Sequence, residues 1–406
     1  MFASLRHRNF RLMWFSLLVS NSGTWLQSVA QDYAVYQLTH RAIDLGYVNA
    51  ARAVALIGLS FFGGSLVDRI EKRKVLVITQ TLFGLCAILL GALVAAHRLQ
   101  VWHVVVVSFV TAALLAVDQP ARQALLPHLV PREQFANAIA LNSITFTGAA
   151  ALGPAMAAPV VHWFGMAWGF YLNGLSYAAV IAAVWALRVH EDLGADRPSV
   201  FRNVGSGLRY VRDSPGILLL VSLLAVFSFF AAPYQSLLPV FAVRVFHGGV
   251  ASLSALRTAP GIGAIAGGFL VAWLASVRGK AWISLIAGFL FGALLMAFCA
   301  LHSLPPALLL LFLVGTASAV VNATIQTLMQ HLTSHEMRGR VMSLFAIAVI
   351  GMWPLGAFPM SWLADRQGVA AATAAGASVA AIYALVVAAA GRRLISRIDT
   401  QAALES

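Results

Sequence analysis

Acidic residues are scarce in this sequence. Only 14 of its 406 residues are Asp or Glu, and charged residues of both signs together make up 10%. Hydrophobic residues account for 60% of the chain, and the mean hydropathy is +0.84. So few charges do not suit the surface of a soluble domain of this size. The composition therefore predicts a polytopic membrane protein.

Cysteine is also scarce, since the chain has only Cys86 and Cys299 and each lies in the middle of an apolar run. This usage argues against a disulfide framework and against a cysteine metal site. The sequence also has no His-Glu-Xaa-Xaa-His zinc motif, no Gly-Xaa-Ser-Xaa-Gly elbow and no phosphate-binding loop. We therefore expect no enzyme activity, no cofactor and no metal ion.

What the sequence does contain is a series of apolar runs of roughly 20 residues, the length that crosses a bilayer as a helix. The first six cover residues 11–37, 45–67, 75–97, 102–119, 134–164 and 166–188. The second six cover residues 216–243, 251–277, 282–302, 307–329, 341–364 and 369–391. These runs predict an all-α membrane protein with twelve transmembrane helices in two pseudo-symmetric six-helix bundles.

Basic residues indicate the orientation in the membrane. Most of the 27 Lys and Arg residues fall on the side of the two termini, whereas the opposite loops hold only Arg41, Arg98, Arg244 and Arg366. Basic loops stay in the cytoplasm, so we expect both termini there, in a bacterial-type inner membrane. The net charge of +13 is then a topology signal, and nucleic acid is not an expected partner.

The two halves of the chain align at an offset of about 203 residues, which indicates an internal duplication. The matching residues include Gln123 with Gln326, His128 with His331, Gly148 with Gly351 and Gly153-Leu152 with Gly356-Leu355. Arg52 matches Arg257 within two residues of that offset. We predict an N-terminal bundle over 1–188, a cytoplasmic linker with an amphipathic helix over 189–215, a C-terminal bundle over 216–391 and a cytoplasmic tail over 392–406. Many secondary transporters are duplicated in this way, with the substrate site between the repeats.

The loop between spans 2 and 3 carries a recognisable pattern of glycine, aspartate and basic residues. Gly64, Asp68, Arg69 and Arg73 are its main members, although Glu71 stands where glycine is usual. The pattern resembles the loop signature of the major facilitator superfamily, which implies that fold and a role for these four residues in a conformational gate. A solvated cluster that only sets orientation is the alternative.

Three further segments resemble known branches of this superfamily. Span 5 carries Gly153-Pro154, similar to the motif of antiporters, although plain helix packing explains these residues equally well. Residues 118–127 and 23–30 resemble the branch that includes the enterobactin exporter and macrolide efflux proteins. This resemblance covers essentially the whole chain and implies export, but that branch exports unrelated compounds.

Charged residues inside spans are costly, so each one needs a reason. Span 1 has a polar stripe with Asp32 near its outer end, and Arg52 lies at similar depth in span 2. The rest of the stripe is formed by Asn21, Thr24, Gln27, Ser28 and Gln31. One interpretation is a structural Asp32–Arg52 ion pair that ties the two helices together. The other is that Asp32 accepts the coupling proton or recognises a cation, which requires the pair to separate in one conformation.

The second half has no acidic residue inside a span, so Arg257 in span 8 is expected to stand alone. Further candidates for the substrate cavity are Tyr234, Gln235, Asn322 and Gln326. Asp118 and Arg122 lie one turn apart at the cytoplasmic end of span 4, where we expect them to stabilise the inner gate.

These observations together predict a secondary active transporter that exports a lipophilic or large organic solute by alternating access, coupled to proton antiport. The expected partners are a small organic substrate, protons and the lipid bilayer, and one chain is expected to act as a monomer. Two alternatives stay open: an uptake symporter of the same fold, and a receptor or assembly protein that has lost transport.

Overall fold

The structure is a computed structural model that describes residues 3–187, 208–274, 277, 279–334 and 337–404; the side chains of 60–69, 350 and 402–404 are outside the description. Every regular element among these residues is helical. The first six long helices are α1 (Arg8–Thr39), α2 (Ala42–Arg69), α3 (Lys72–Ala95), α4 (Val101–Leu125), α5 (Phe135–Phe164) and α6 (Ala167–Ala186). The next six are α7 (Pro215–Val245), α8 (Val250–Trp273), α9 (Lys280–Cys299), α10 (Leu304–Leu332), α11 (Arg338–Gln367) and α12 (Val369–Ala390).

Eleven helices in the described part of the chain are long and apolar enough to cross a membrane. The remaining long helix, α1, has 32 residues and carries the predicted polar stripe, which lowers its hydropathy. At about 1.5 Å of rise per residue, α1 is more than long enough to span a bilayer. Polar side chains inside a spanning helix are retained where they have partners within the protein, as Thr24, Gln27 and Asp32 have here.

Two of the long helices are irregular. In α7, one π-helical turn at Phe227–Ala231 lies just before Pro233. A second one at Phe241–Val245 lies just after Pro239. In α11, a π-helical turn occupies Ile347–Gly351. Proline removes a backbone donor and crowds the preceding turn, so the helix widens locally instead of continuing regularly. The two prolines of α7 thus coincide with two wide turns of the helix.

The chain forms two compact units. Unit 1 contains Met1–His40, Ala51–Arg197 and Gly248–Thr258, and unit 2 contains Arg41–Ala50, Pro198–His247 and Ala259–Ser406. The first part of α2 therefore belongs to unit 2, and the first part of α8 belongs to unit 1. Each unit is composed mainly of one half of the sequence but holds a short segment from the other half. The predicted linker helix is described only over 208–213, and the rest of its positions, including Phe201 and Val204, lie outside the described residues.

Helix pairs within the two units follow the same pattern. In unit 1, α1 packs on α5, and α3 packs on α4 and α6. In unit 2, α7 packs on α11, and α9 packs on α10 and α12. These pairs are related by the offset between the two halves, so the duplication seen in the sequence is also present in the packing.

The repeated glycines in α5 and α11 differ in their surroundings. A Cβ atom on Gly153 would lie 2.4 Å from Cβ of Trp25 in α1, and one on Gly356 would lie 1.9 Å from the carbonyl oxygen of Phe229 in α7. A Cβ atom on Gly148 would meet nothing within 4 Å. Close backbone approach thus accounts for Gly153 and Gly356, as small residues do in other packed membrane helices.

The C-terminal segment, expected as a tail, forms helix α13 (Arg392–Leu404). Its Ile395 and Ile398 are buried against unit 2. Asp399 accepts a hydrogen bond of 2.8 Å from the backbone N–H of Ala281, in the first turn of α9. Burial raises the pKa of this carboxyl group, and the N–H groups of Ala281 and Trp282 oppose the rise. Since the folded state then holds the proton of Asp399 more tightly than the unfolded state, burial of this carboxyl group makes folding less favourable as the pH rises through the raised pKa, and the hydrogen bonds to the ionised group offset part of that loss.

Replacing Asp399 with Ala is expected to destabilise the docked helix by about 1 kcal/mol near neutral pH, because an N-terminal N–H group of α9 loses its acceptor. Thermal unfolding of the purified protein in detergent, followed by tryptophan fluorescence, measures the effect. Gln401→Ala, at an exposed position on the same helix, is the control and should leave the unfolding temperature unchanged. Equal unfolding temperatures for both variants would mean that the contact contributes nothing.

Candidate functional site

Asp32 in α1 forms an ion pair with Arg257 in α8, through its Oδ2 and the Nη2 of the arginine. Both side chains are about nine-tenths buried, at 9% and 10% exposure. Arg257 also donates from Nη1 to Oγ of Ser28, one turn before Asp32, at 3.4 Å. The expectation that Arg257 stands alone was therefore wrong. An ion pair between residues 225 positions apart cannot be deduced from neighbouring spans, which suggested Arg52 as the partner.

Arg52 in α2 is the third charged member of this group. It is attracted by Asp32 and repelled by Arg257, and these are the charged groups that act on it appreciably. Among the described residues, no acidic side chain forms an ion pair with Arg52 within 4.0 Å. The two arginines occupy matching positions of the repeat, whereas the position that matches Asp32 holds Gln235. All three charged residues belong to unit 1; we call them, with Ser28 and Gln31, the Asp32 cluster.

The polar stripe of α1 continues beyond Asp32 toward the middle of the helix. Gln27 accepts a hydrogen bond of 2.7 Å from Nδ2 of Asn173 in α6. Thr24 shares one of 3.2 Å with the hydroxyl group of Tyr177, also in α6. Asn21, near the other end of the stripe, is half-buried. Single polar residues in span 6 gave no pattern that pointed to Asn173 and Tyr177.

Asp118 in α4 is fully buried and forms a second charged group in unit 1. Its Oδ1 accepts hydrogen bonds from Oγ1 of Thr79, at 2.6 Å, and Nε2 of Gln80, at 2.8 Å. Its Oδ2 is paired with Nε of Arg122, one turn further along α4. These contacts satisfy the buried carboxylate and tie α3 to α4. Its assignment to an inner gate stays a prediction.

The remaining cavity candidates lie in unit 2. Tyr234 is buried, and its ring lies 6.0 Å from that of Phe291, so it packs within the unit. Asn322 donates to the carbonyl oxygen of Ser318 in its own helix, at 2.9 Å. Gln235 is half-buried and Gln326 is exposed. None of these four belongs to unit 1, and their role in binding a substrate stays a prediction.

The residues of the proposed gate are only partly described. The backbone of α2 extends to Arg69, but the side chains of Gly64, Asp68 and Arg69 lie outside the described residues. Arg73 donates to the carbonyl oxygens of Val184 and Trp185, each at 3.3 Å. A cation at the C-terminal end of α6 interacts favourably with the helix dipole.

Pro154, which follows Gly153 in the antiporter-like motif, is buried inside α5.

Asp365 in α11 was not among the residues that the sequence pointed to. It accepts hydrogen bonds from the backbone N–H groups of Ala42, at 2.7 Å, and Ile43, at 2.9 Å, in the first turn of α2. A carboxylate at this place satisfies donors that have no partner inside the helix.

Over residues 1–404, the chain matches the family described as "Transmembrane secretion effector". It belongs to this family of the major facilitator superfamily. The staphyloferrin A transporter of Staphylococcus aureus (strain NCTC 8325 / PS 47) is 26% identical over 355 residues, or 86% of this chain and 87% of that protein. Macrolide efflux protein A of Streptococcus pyogenes is 23% identical over 382 residues, or 90% and 92% of the two chains.

A third relative is the enterobactin exporter EntS of Citrobacter koseri (strain ATCC BAA-895 / CDC 4225-83 / SGSC4696), 26% identical over 84% of this chain and 81% of that protein. Among solved structures, a bacterial homologue of the human lysosomal transporter Spinster, inward-facing and occupied, matches with a TM-score of 0.72 at 15% identity over 98% of both chains. The predicted superfamily, its branch and the fold are confirmed. The chain is a multi-pass membrane transporter of the efflux type.

Proposed function

We propose that this transporter exports a lipophilic or large organic solute across a bacterial-type inner membrane by alternating access, and that Asp32 accepts the proton that drives export. The observation that supports this proposal is the Asp32–Arg257 ion pair inside the spanning helices. A structural scaffold has no need to hold an acidic residue at this depth, where charge is costly. Proton-driven export uses such a residue directly.

The ion pair suggests how proton binding and movement are linked. Arg257 holds Oδ2 of Asp32 in the ion pair, and we propose that Asp32 takes up the coupling proton as Arg257 moves away. Breaking a buried pair without compensation costs roughly 3–5 kcal/mol. A proton on Asp32 cancels its attraction for Arg257 and leaves Arg52 and Arg257 to repel each other, and one charge moved across 100 mV gains about 2.3 kcal/mol. Separation of α1 from the start of α8 is therefore favourable only when a proton is bound.

The relatives and the side chains of the spans suggest the type of solute. The three relatives are named for staphyloferrin A, macrolides and enterobactin, all large organic compounds. Hydrogen-bonding groups are sparse along the spans, whereas a sugar needs many of them. We also propose that both termini face the cytoplasm, because most basic residues lie on their side, and that a single chain is the active unit.

The test is export from energised inside-out vesicles with a panel of fluorescent dyes and drugs. We expect wild-type vesicles to accumulate at least one compound and to lose it when an uncoupler is added. The variant Asp32→Asn/Arg257→Gln removes the pair without leaving one charge behind, and it should show no uncoupler-sensitive accumulation. If the double variant accumulates compounds as wild type does, Asp32 is structural and coupling lies elsewhere, with the buried Asp118 as the next candidate.

A further inference from the structure

The charges of the Asp32 cluster do not balance. One carboxylate, that of Asp32, lies among two guanidinium groups, and it is in contact with that of Arg257. Arg52 is close enough to be attracted by Asp32 and repelled by Arg257. The cluster therefore carries one net positive charge inside spanning helices. An uncompensated charge at such a depth is unfavourable, so the site is suited to a group that brings a negative charge.

The donors of the cluster also outnumber its acceptors. Gln31 is buried at 3% exposure, and its Nε2 has no hydrogen-bond acceptor among the described residues. Gln31 lies three residues after Ser28 and one before Asp32, so it shares the face of α1 that meets Arg257. A buried N–H donor without an acceptor costs about 1–3 kcal/mol. An oxygen-rich anion offers an acceptor to this donor and a counter-charge to the guanidinium group of Arg52.

We propose that the Asp32 cluster binds an anionic oxygen group of the exported solute, a carboxylate or a phenolate, through Arg52 and Gln31. This inference rests on the proposed function, because it assigns the substrate class at the same site. Guanidinium groups match the planar, two-oxygen geometry of carboxylates. Asp32 keeps Arg257 occupied, which leaves Arg52 as the arginine that meets the substrate. Cationic compounds are repelled by the same net charge.

The experiment compares two dyes that share a xanthene ring system, the anion fluorescein and the cation rhodamine 6G. Binding is measured by fluorescence polarisation with the purified protein in detergent, without any proton gradient. We expect wild type to bind fluorescein more tightly than rhodamine 6G. Arg52→Gln should raise the dissociation constant for fluorescein about tenfold, the effect of one lost charge-assisted hydrogen bond. Arg52→Lys, which keeps the charge, should recover part of the loss.

Arg98→Gln removes an exposed arginine elsewhere and should leave fluorescein binding unchanged. The proposal is overturned if wild type binds no fluorescein, if it binds rhodamine 6G as tightly, or if Arg52→Gln binds fluorescein as wild type does. Vesicle export separates this failure from failure of the proposed function. If vesicles show uncoupler-sensitive export but no preference for anions, only the anion site is rejected. If the purified protein binds fluorescein through Arg52 but vesicles export nothing, only the proposed function is rejected.

Discussion

Asp32→Asn is expected to lower the free energy of unfolding by roughly 3–5 kcal/mol. The variant leaves the guanidinium groups of Arg52 and Arg257 close together with no carboxylate between them. Arg257→Gln should cost less, because Asp32 then keeps one arginine, Arg52, within Coulomb reach. Which partner is removed therefore matters more than the loss of the ion pair itself.

The double variant Asp32→Asn/Arg257→Gln separates these effects, because it carries the same net charge at the cluster as wild type. We expect it to recover most of the stability lost in Asp32→Asn. Chemical or thermal unfolding in detergent gives the free energies of unfolding of wild type, the two single variants and the double variant. We expect the double variant to lose much less unfolding free energy than the two single variants lose together, which gives a large interaction energy for the pair. Asp32→Asn with wild-type stability, or a double variant as unstable as the single one, contradicts this description of the cluster.

The same four proteins also separate stability from coupling. If the double variant is folded and stable but shows no uncoupler-sensitive export, then the loss cannot be attributed to unfolding. A carboxylate that only holds helices together can be replaced by an uncharged, hydrogen-bonded amide pair without loss of transport. One that carries a proton cannot. The stability cycle therefore provides the control that the vesicle experiment requires.

Much of the fold followed from the sequence because it depends on local and periodic features. Apolar runs, basic loops and the repeat each leave a pattern along the chain, and the helices lie close to the predicted spans. The partner of Asp32 leaves no such pattern. Arg257 lies in the other half of the sequence, and only the exchange of the segment Gly248–Thr258 into unit 1 brings it near. Sequence spacing within one helix pair pointed to Arg52 instead.

Other contacts were missed for related reasons. Thr79 and Gln80 looked like ordinary polar residues of span 3, and only the packing of α3 on α4 places both beside Asp118. Helix α13 was read as a tail because its arginines mark a cytoplasmic segment. Its buried Ile395 and Ile398 are spaced three residues apart, a helical spacing that is typical of a docked amphipathic helix. Asp365 lay near the end of a span, where a surface charge needs no explanation.

The two glycine positions of α5 offer the second large effect. Gly153→Ala is expected to destabilise the protein by about 1–3 kcal/mol, since its Cβ atom meets Trp25 at 2.4 Å and the carbonyl oxygen of Ser22 at 2.5 Å. Gly148→Ala on the same helix should be neutral or stabilising by up to about 1 kcal/mol, because alanine favours the helix and the space is open. The two substitutions are chemically identical, so a difference in sign reports on packing alone.

The repeat supplies an independent copy of this comparison in α11. A Cβ atom on Gly356 would meet the carbonyl oxygen of Phe229 at 1.9 Å, whereas one on Gly351 has only an ordinary contact of 3.7 Å with Ile347. Gly356→Ala should therefore exceed Gly153→Ala in its effect, because its shortest contact is 1.9 Å against 2.4 Å, and Gly351→Ala should be mild. Thermal unfolding and vesicle export measure all four variants. If the two variants of one helix have similar effects, the close contacts of α1 with α5 or of α7 with α11 are contradicted. If the difference between the two variants is the same in α5 and in α11, the duplication preserves the energetics of these two contacts as well as their geometry.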